Sequence, residues 1–308
     1  MTLGSGVMQR EHLTLNGRDY LEVKDPCPVF DGSRWHLFAT AVTAPHTFEV
    51  LHALADRLEG PWEVSDPVDV VGLVGSCVAA PGAVAEHDEL HLFVQTEYCI
   101  LGGRVEHLAS RDGGTTFVSV GTALESLPGT AEAGIYDPHP ALVGGERYLV
   151  YSAFSVVGQP DVHLARSTTA SWDGPWERLG AVLQHADVMV HNQLGSEGYE
   201  WGLEGPQLVE LPDGRVLLNA VCFLSGLPAG ARQRVFFAMS DTPLGPFDVL
   251  GPVLVPPEGN RLGENGHASA VVADDELVLL FQERSHADPL WRLALARTSL
   301  APLALEER

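Results

Sequence analysis

Lysine is nearly absent from this chain. Of 18 basic residues only Lys24 is a lysine, which excludes a lysine nucleophile or Schiff base almost everywhere. Acidic residues number 41 and leave a formal charge of −23. A surface of that sign repels phosphate backbones, so nucleic acid is excluded as a partner and an anionic membrane is disfavoured. The acids are dispersed, and most read as solvated surface. No apolar run reaches the length of a membrane span, and none is expected. Met1 to Arg10 lacks the apolar stretch of an export signal, so a cytoplasmic location is the expectation. The four cysteines, Cys27, Cys77, Cys99 and Cys222, show no metal-ligand spacing. They read as reduced thiols buried in strands, with a Cys27–Cys77 bridge as the alternative. Also missing is any 3.6-residue apolar period of helix length.

What the chain has instead is a repeat. Five times, a pair of apolar runs separated by a tight-turn signal is followed by a second hairpin. Asp31-Gly32, Gly144-Gly145 and Asp213-Gly214 are such turns. The second hairpins recur through Gly60-Pro61-Trp62, Gly174-Pro175-Trp176 and Gly245-Pro246-Phe247. In the second unit that place holds Ser110-Arg111-Asp112-Gly113-Gly114-Thr115-Thr116-Phe117, which resembles the Asp-box turn of other propellers. Repeats of roughly 50–65 residues with about four short strands each are the signature of propeller blades. The expected fold is all-β, a single five-bladed β-propeller over residues 1–308, with blades starting near 25, 77, 137, 204 and 267. Two sandwiches would explain the five-fold period poorly. The last blade could be closed by His12-Leu13-Thr14-Leu15 or by Leu303-Ala304-Leu305, and the sequence leaves both open.

Three repeats open on an acid: Asp25 in Lys24-Asp25-Pro26, Asp137 in Tyr136-Asp137-Pro138 and Glu204 in Glu204-Gly205-Pro206. His267 occupies the matching place in the fifth. Inner strands of a propeller surround its axis, so these four side chains are expected at one rim of a central funnel. Asp before Pro is by itself common turn chemistry. Three acids converging on one funnel are another matter, because each raises the cost of ionising its neighbours. Glycoside hydrolysis uses such crowding: one carboxylate acts on water or sugar, and one carboxylic acid protonates the leaving oxygen.

At these residues the chain resembles the five-bladed propeller glycosidases, glycoside hydrolase family 43 and its relatives, which include arabinofuranosidases, arabinanases and β-xylosidases. The resemblance implies Asp25 as general base, Asp137 as the residue that tunes the acid and Glu204 as general acid, with inversion at the anomeric carbon. It also implies a histidine, here His267, at the base of the pocket, where many members hold a structural calcium. No cofactor is required, and the motifs show no carboxylate cage for a metal. Two departures stand out. The family's second-blade Trp-Ala-Pro is Ala79-Ala80-Pro81 here, and Glu204-Gly205-Pro206 lacks the lysine and aromatic residues common after it. The longest link, about Gln184 to Leu203, carries Trp201, a candidate to stack on a sugar face. Arg284 on another rim turn is a candidate for sugar hydroxyls or for orienting an acid. The expected partner is a carbohydrate substrate, probed as a pentose or furanose glycoside or short oligosaccharide. A non-catalytic sugar- or protein-binding propeller and a fructosidase-like retaining enzyme are the alternatives. The oligomeric state is not legible.

Overall fold

The chain is described by a computed structural model over residues 9–45, 47–68, 70–71, 78–97, 102–156, 158–191, 199–224, 227, 230–254, 263–273 and 275–300. Two short strands come first, β1 (Gln9–His12) and β2 (Leu15–Asn16). Blade 1 follows with β3 (Glu22–Phe30), β4 (Trp35–Ala44), β5 (Thr47–Ala55) and β6 (Trp62–Val64). Blade 2 has β7 (Val70–Val71), β8 (Ala79–Glu86), β9 (Glu89–Thr96), β10 (Arg104–Ser110) and β11 (Phe117–Glu125). Blade 3 has β12 (Gly134–Val143), β13 (Glu146–Phe154), β14 (Asp161–Ser167) and β15 (Trp176–Leu183). About two turns of helix, α1 (His185–His191), lead into blade 4: β16 (Tyr199–Glu210), β17 (Val216–Leu224), β18 (Gln233–Ser240) and β19 (Asp248–Pro252). Blade 5 is β20 (Gly263–Ala273), β21 (Glu276–Ser285) and β22 (Arg292–Ser299).

The five sheets meander outward from the axis, and the ring is closed from the N-terminal side. β1 pairs antiparallel with β22, Gln9 opposite Arg297, as the outer strand of blade 5. The closing strand is N-terminal, as the first alternative had it, but it lies upstream of the expected stretch: only His12 of that stretch is in β1, while Leu15 pairs with Trp62 of blade 1. The second alternative, Leu303-Ala304-Leu305, lies outside the described residues. β2 and β7 each add a parallel pair to the outer strand of blades 1 and 2.

The core sits between blades rather than inside any one of them. Each adjacent pair of blades shares an apolar cluster: Phe38 with Leu92 and Phe117 between blades 1 and 2, Phe93 with Tyr151 and Trp172 between 2 and 3. Val150 with Leu218 and Phe236, Val221 with Phe281, and Leu51 with Leu280 complete the circle. No blade buries its own two faces, which is why the repeat must close into a ring. The Asp-box expectation holds in detail. Ser110 Oγ donates to Asp112 Oδ1 at 2.8 Å, the Gly114 N–H donates to Ser110 Oγ, the Thr116 N–H donates to Asp112, and Phe117 is fully buried. The turn is thus a local hydrogen-bonded unit that aims Phe117 edge-on at Phe38 in the neighbouring blade.

The link before blade 4 differs from the expected loop. Seven residues of it are α1, too few to show a helical period. Its first-turn Asp187 accepts the Gln184 N–H, Asp161 accepts the His185 N–H, and Val188 packs beside Leu183 and Leu203. Strand β16 also starts earlier than expected, at Tyr199.

Every inner strand carries a β-bulge at the same height. Pairing slips between Lys24 and Cys27, Ala79 and Gly82, Tyr136 and His139, Glu204 and Gln207, and Gly266 and Ala268. The first bulged residue takes left-handed φ in all five blades: Asp25 at 53°, Ala80 at 46°, Asp137 at 51°, Gly205 at 54° and His267 at 32°. In four blades a proline follows, where its missing N–H costs the ladder nothing. The acids therefore lie inside their strands, not at the start as expected, and the bulges at Asp25, Asp137 and His267 turn their side chains to one common cavity. The five-fold partner of Asp25 and Asp137 in blade 4 is Gly205. Glu204 stands one residue before it, which corrects the expected equivalence.

Candidate active site

The bulges bring Asp25, Asp137, Glu204 and His267 together around one imidazole. His267 Nδ1 lies 2.9 Å from Asp25 Oδ1. Its Nε2 lies 3.7 Å from both Asp137 Oδ2 and Glu204 Oε2. Asp25 and Glu204 thus face opposite nitrogens of the ring, while Asp137 and Glu204 share one. The Gly205 N–H donates to Asp137 Oδ2 at 2.9 Å and holds that carboxyl against the Glu204 backbone. The aspartates are nearly enclosed, with side chains 6% exposed, whereas Glu204 is 18% exposed.

Burial and neighbours separate the groups electrically. Burial alone would raise Asp25, but Lys24, with Nζ 3.7 Å from Oδ2, and His267 outweigh it and hold Asp25 below the usual carboxylate range. Asp137 goes the other way. Burial, together with the charges of Glu204 and Asp25, raises it to about 7 against the opposing pull of His267. Burial would lower His267, yet Asp137 and Asp25 raise it well above an ordinary histidine. At neutral pH the cluster therefore holds an ionised Asp25 on an imidazolium, beside an Asp137 that titrates near neutrality.

The space between these groups is small. Asp25, Asp137, Gly205 and His267, with prolines 26, 81, 138 and 206, line a cavity of about 30 Å³. That is enough to seat a water, which needs about 10–15 Å³ of such space. Just below, His139 faces Cys27 Sγ at 3.5 Å, and the Ala83 N–H donates to that sulfur at 3.1 Å. Burial pushes the Cys27 thiol up to about 12 and His139 down to about 4. Cys27 and Cys222 are buried thiols outside any disulfide, so Cys27 enters no bridge. Cys77 and Cys99 lie outside the described residues.

Other expected site residues fall elsewhere. Arg284 is a register partner of Glu264 across β20 and β21, donates to it, and stacks on Trp291 at 4.3 Å. The nearly sealed Glu264 also accepts the N–H groups of Arg232 and Gln233. Arg284 thus fastens a rim turn and does not line the cavity. Trp201 lies in β16, but its side chain, like residues 192–198 of the expected rim, lies outside the described residues. Lys24, the chain's one lysine, pairs with Asp25, a role the Lys24-Asp25-Pro26 motif carries.

A calcium near His267 is not well served by the donors present. Donor atoms of Asp137, Glu204 and His267 do come within 4.8 Å of one another. Calcium takes about six to eight oxygens. Here the imidazole turns both nitrogens to carboxylates, Asp137 Oδ2 accepts the Gly205 N–H, and the remaining cavity lining is proline, alanine, His139 and Ser269. Among the described residues there is no oxygen-rich cage.

The ring and its axial acids define a five-bladed β-propeller with a carboxylate-and-histidine funnel. No protein-family model matches the chain, and no curated protein matches it. Solved structures do share the fold. The catalytic domain of a family 62 α-L-arabinofuranosidase from Coprinopsis cinerea superposes with a TM-score of 0.67 at 15% identity, over 97% of this chain and 98% of that one. An α-L-arabinanase from Cellvibrio cellulosa complexed with arabinohexaose gives 0.65 at 16% identity, over 90% and 92%. A thermostable family 43 glycoside hydrolase gives 0.64 at 17% identity, over 90% and 89%. The expected propeller of the family 43 type is therefore the fold of this chain. No helix among the described residues is long and apolar enough to cross a membrane.

Proposed function

We propose that the protein is a glycoside hydrolase acting on a pentose or furanose glycoside or a short oligosaccharide. The observation that carries this reading is the convergence of Asp25, Asp137 and Glu204 on the one imidazole of His267. A binding propeller would be expected to splay its acids or tie them to arginines. These acids instead crowd one another, with opposite consequences for their protons. The names of the fold's neighbours, arabinanase and arabinofuranosidase, favour a furanoside.

In the proposed mechanism Asp25 is the base. Lys24 and His267 keep it ionised, and the adjoining cavity has room for the water it would deprotonate. Glu204 is the acid, because its greater exposure lets it reach a leaving oxygen. Asp137 is the proton-holding neighbour at the same nitrogen of His267, fixed by Gly205. Base and acid meet different nitrogens of the imidazole, and the proposed outcome is inversion, which uses carboxyls roughly 6.5–9.5 Å apart with water between. No step requires a metal.

The test is a panel of aryl glycosides with wild type and Glu204→Gln, followed by proton NMR of the first-formed anomer. Cleavage that collapses in the variant and yields the inverted anomer is expected. Undiminished activity in Glu204→Gln would defeat the mechanism, and a retained anomer would transfer it to the double-displacement route.

A further inference from the structure

The left-handed bulge under each aspartate has a backbone N–H that the sheet does not pair. In blade 3 the Asp137 N–H donates to Gln95 Oε1 at 2.7 Å. In blade 1 the Asp25 N–H donates to Gln282 Oε1 at 2.9 Å. Both glutamines are 2% exposed. Both come from the second strand of the preceding blade, in the same register place, Gln95 opposite Ala79 and Gln282 opposite Gly266. Thr40 holds that place in blade 1 and accepts the Ala80 N–H at 2.8 Å. Ser152 holds it in blade 3, where its hydroxyl is buried without a hydrogen-bond partner while the Gly205 N–H goes to Asp137 instead. A backbone donor also fixes the amide orientation, since only Oε1 can accept.

We infer that Gln95 and Gln282 are positioning residues that hold Asp137 and Asp25, each from the neighbouring blade, in the left-handed bulge that aims them at the axis. The inference rests on the catalytic reading of those acids given above. Non-glycine residues keep positive φ only where the surroundings over-determine it. Each aspartate has one backbone N–H at the bulge, and one glutamine meets it. Without that acceptor a buried donor is stranded, and the peptide relieves the cost by turning away and taking the carboxylate with it. The two glutamines address different acids, so their effects should separate.

The experiment uses Gln95→Leu and Gln282→Leu, with Gln95→Glu and Gln282→Glu as rescues that keep an acceptor oxygen. On 4-nitrophenyl α-L-arabinofuranoside each leucine variant should lose about 10²-fold in kcat with KM near wild type, and the glutamate variant should recover part of it. Carbon-13 NMR of the aspartate carboxyls gives a readout independent of turnover. Gln95→Leu should bring the Asp137 midpoint down from about 7 while Asp25 stays. Gln282→Leu should raise Asp25 toward the ordinary range while Asp137 stays. Unmoved midpoints in both variants, or both acids moving together in either one, would overturn the inference. A wild type that cleaves no aryl glycoside would defeat the functional reading, and the carboxyl titrations would still decide this one.

Discussion

The backbone N–H of Gly205 donates to the carboxylate of Asp137 across 2.9 Å, joining the fourth blade's bulge to the third blade's acid. Gly205 has φ of 54°, and a Cβ there would come 3.0 Å from His267 Cγ and 3.1 Å from Nδ1. Glycine at this place meets two demands at once: left-handed backbone and close approach to the imidazole. Gly205→Ala should cost about 1–2 kcal/mol in backbone strain. It should also displace His267 from Asp25 and lower kcat more than stability alone explains. Urea unfolding and steady-state kinetics on the same preparation check this. A variant with normal kcat in its folded fraction would show that the His267 position does not matter.

Reading the blades from sequence worked where the signal was local. The tight turns, the Asp-box and the acid-proline motifs each fit within ten residues, and each folds as its residues dictate. Matching the blades by their acids sets Glu204 one residue off, because the blade 4 bulge falls on Gly205. Anchoring on proline would have aligned Asp25-Pro26, Ala80-Pro81, Asp137-Pro138 and Gly205-Pro206, since the bulge is where a strand tolerates a residue that cannot donate. Closure of the ring was undecidable for a different reason: Gln9 and Arg297 meet across nearly the full chain, and nothing local encodes the pairing. Arg284 was open to a site role because its partner Glu264 becomes visible only once the β20–β21 register is known.

Glu204 as proton donor makes a prediction about leaving groups. Protonation matters most when the departing oxygen is a poor leaving group. Glu204→Gln should lose about 10²–10⁴-fold on an alkyl glycoside or disaccharide. On a 2,4-dinitrophenyl glycoside, whose oxygen leaves without help, the loss should be far smaller. Parallel kcat/KM measurements decide it. Equal losses on both substrates would remove Glu204 from the acid role.

Stability and chemistry separate cleanly at the opposite end of blade 2. Phe117 is fully buried between blades 1 and 2 and lies edge-on to Phe38 with ring centres 5.7 Å apart. Phe117→Ala should cost about 3–5 kcal/mol while leaving the pH profile and KM of the folded protein as they were. Chemical denaturation together with a pH–rate curve tests both halves. A changed profile would mean that the inter-blade core tunes the funnel directly.

Asp137 couples activity to stability in a pH window that its own titration sets. Its folded value, about 7, stands above the ordinary aspartate value of 3.8. Between those values the folded protein binds the proton that the unfolded chain has lost, so this group makes stability fall as pH rises from about 4 to about 7. Asp25 has the opposite sign, because its folded value is depressed. Its contribution is present above the unfolded value of 3.8 and fades as pH falls below it. Asp137→Asn removes the first slope and keeps the second. The variant should therefore gain stability over wild type above pH 7, where wild type carries the crowded charge, and lose that advantage toward pH 4. Its kcat should drop by about 10²-fold or more. Urea midpoints at intervals from pH 3 to 8 resolve the two windows. An Asn variant that tracks wild type across pH 4 to 7 would mean that Asp137 is already ionised throughout that range and does not hold the proton on which its neighbour depends.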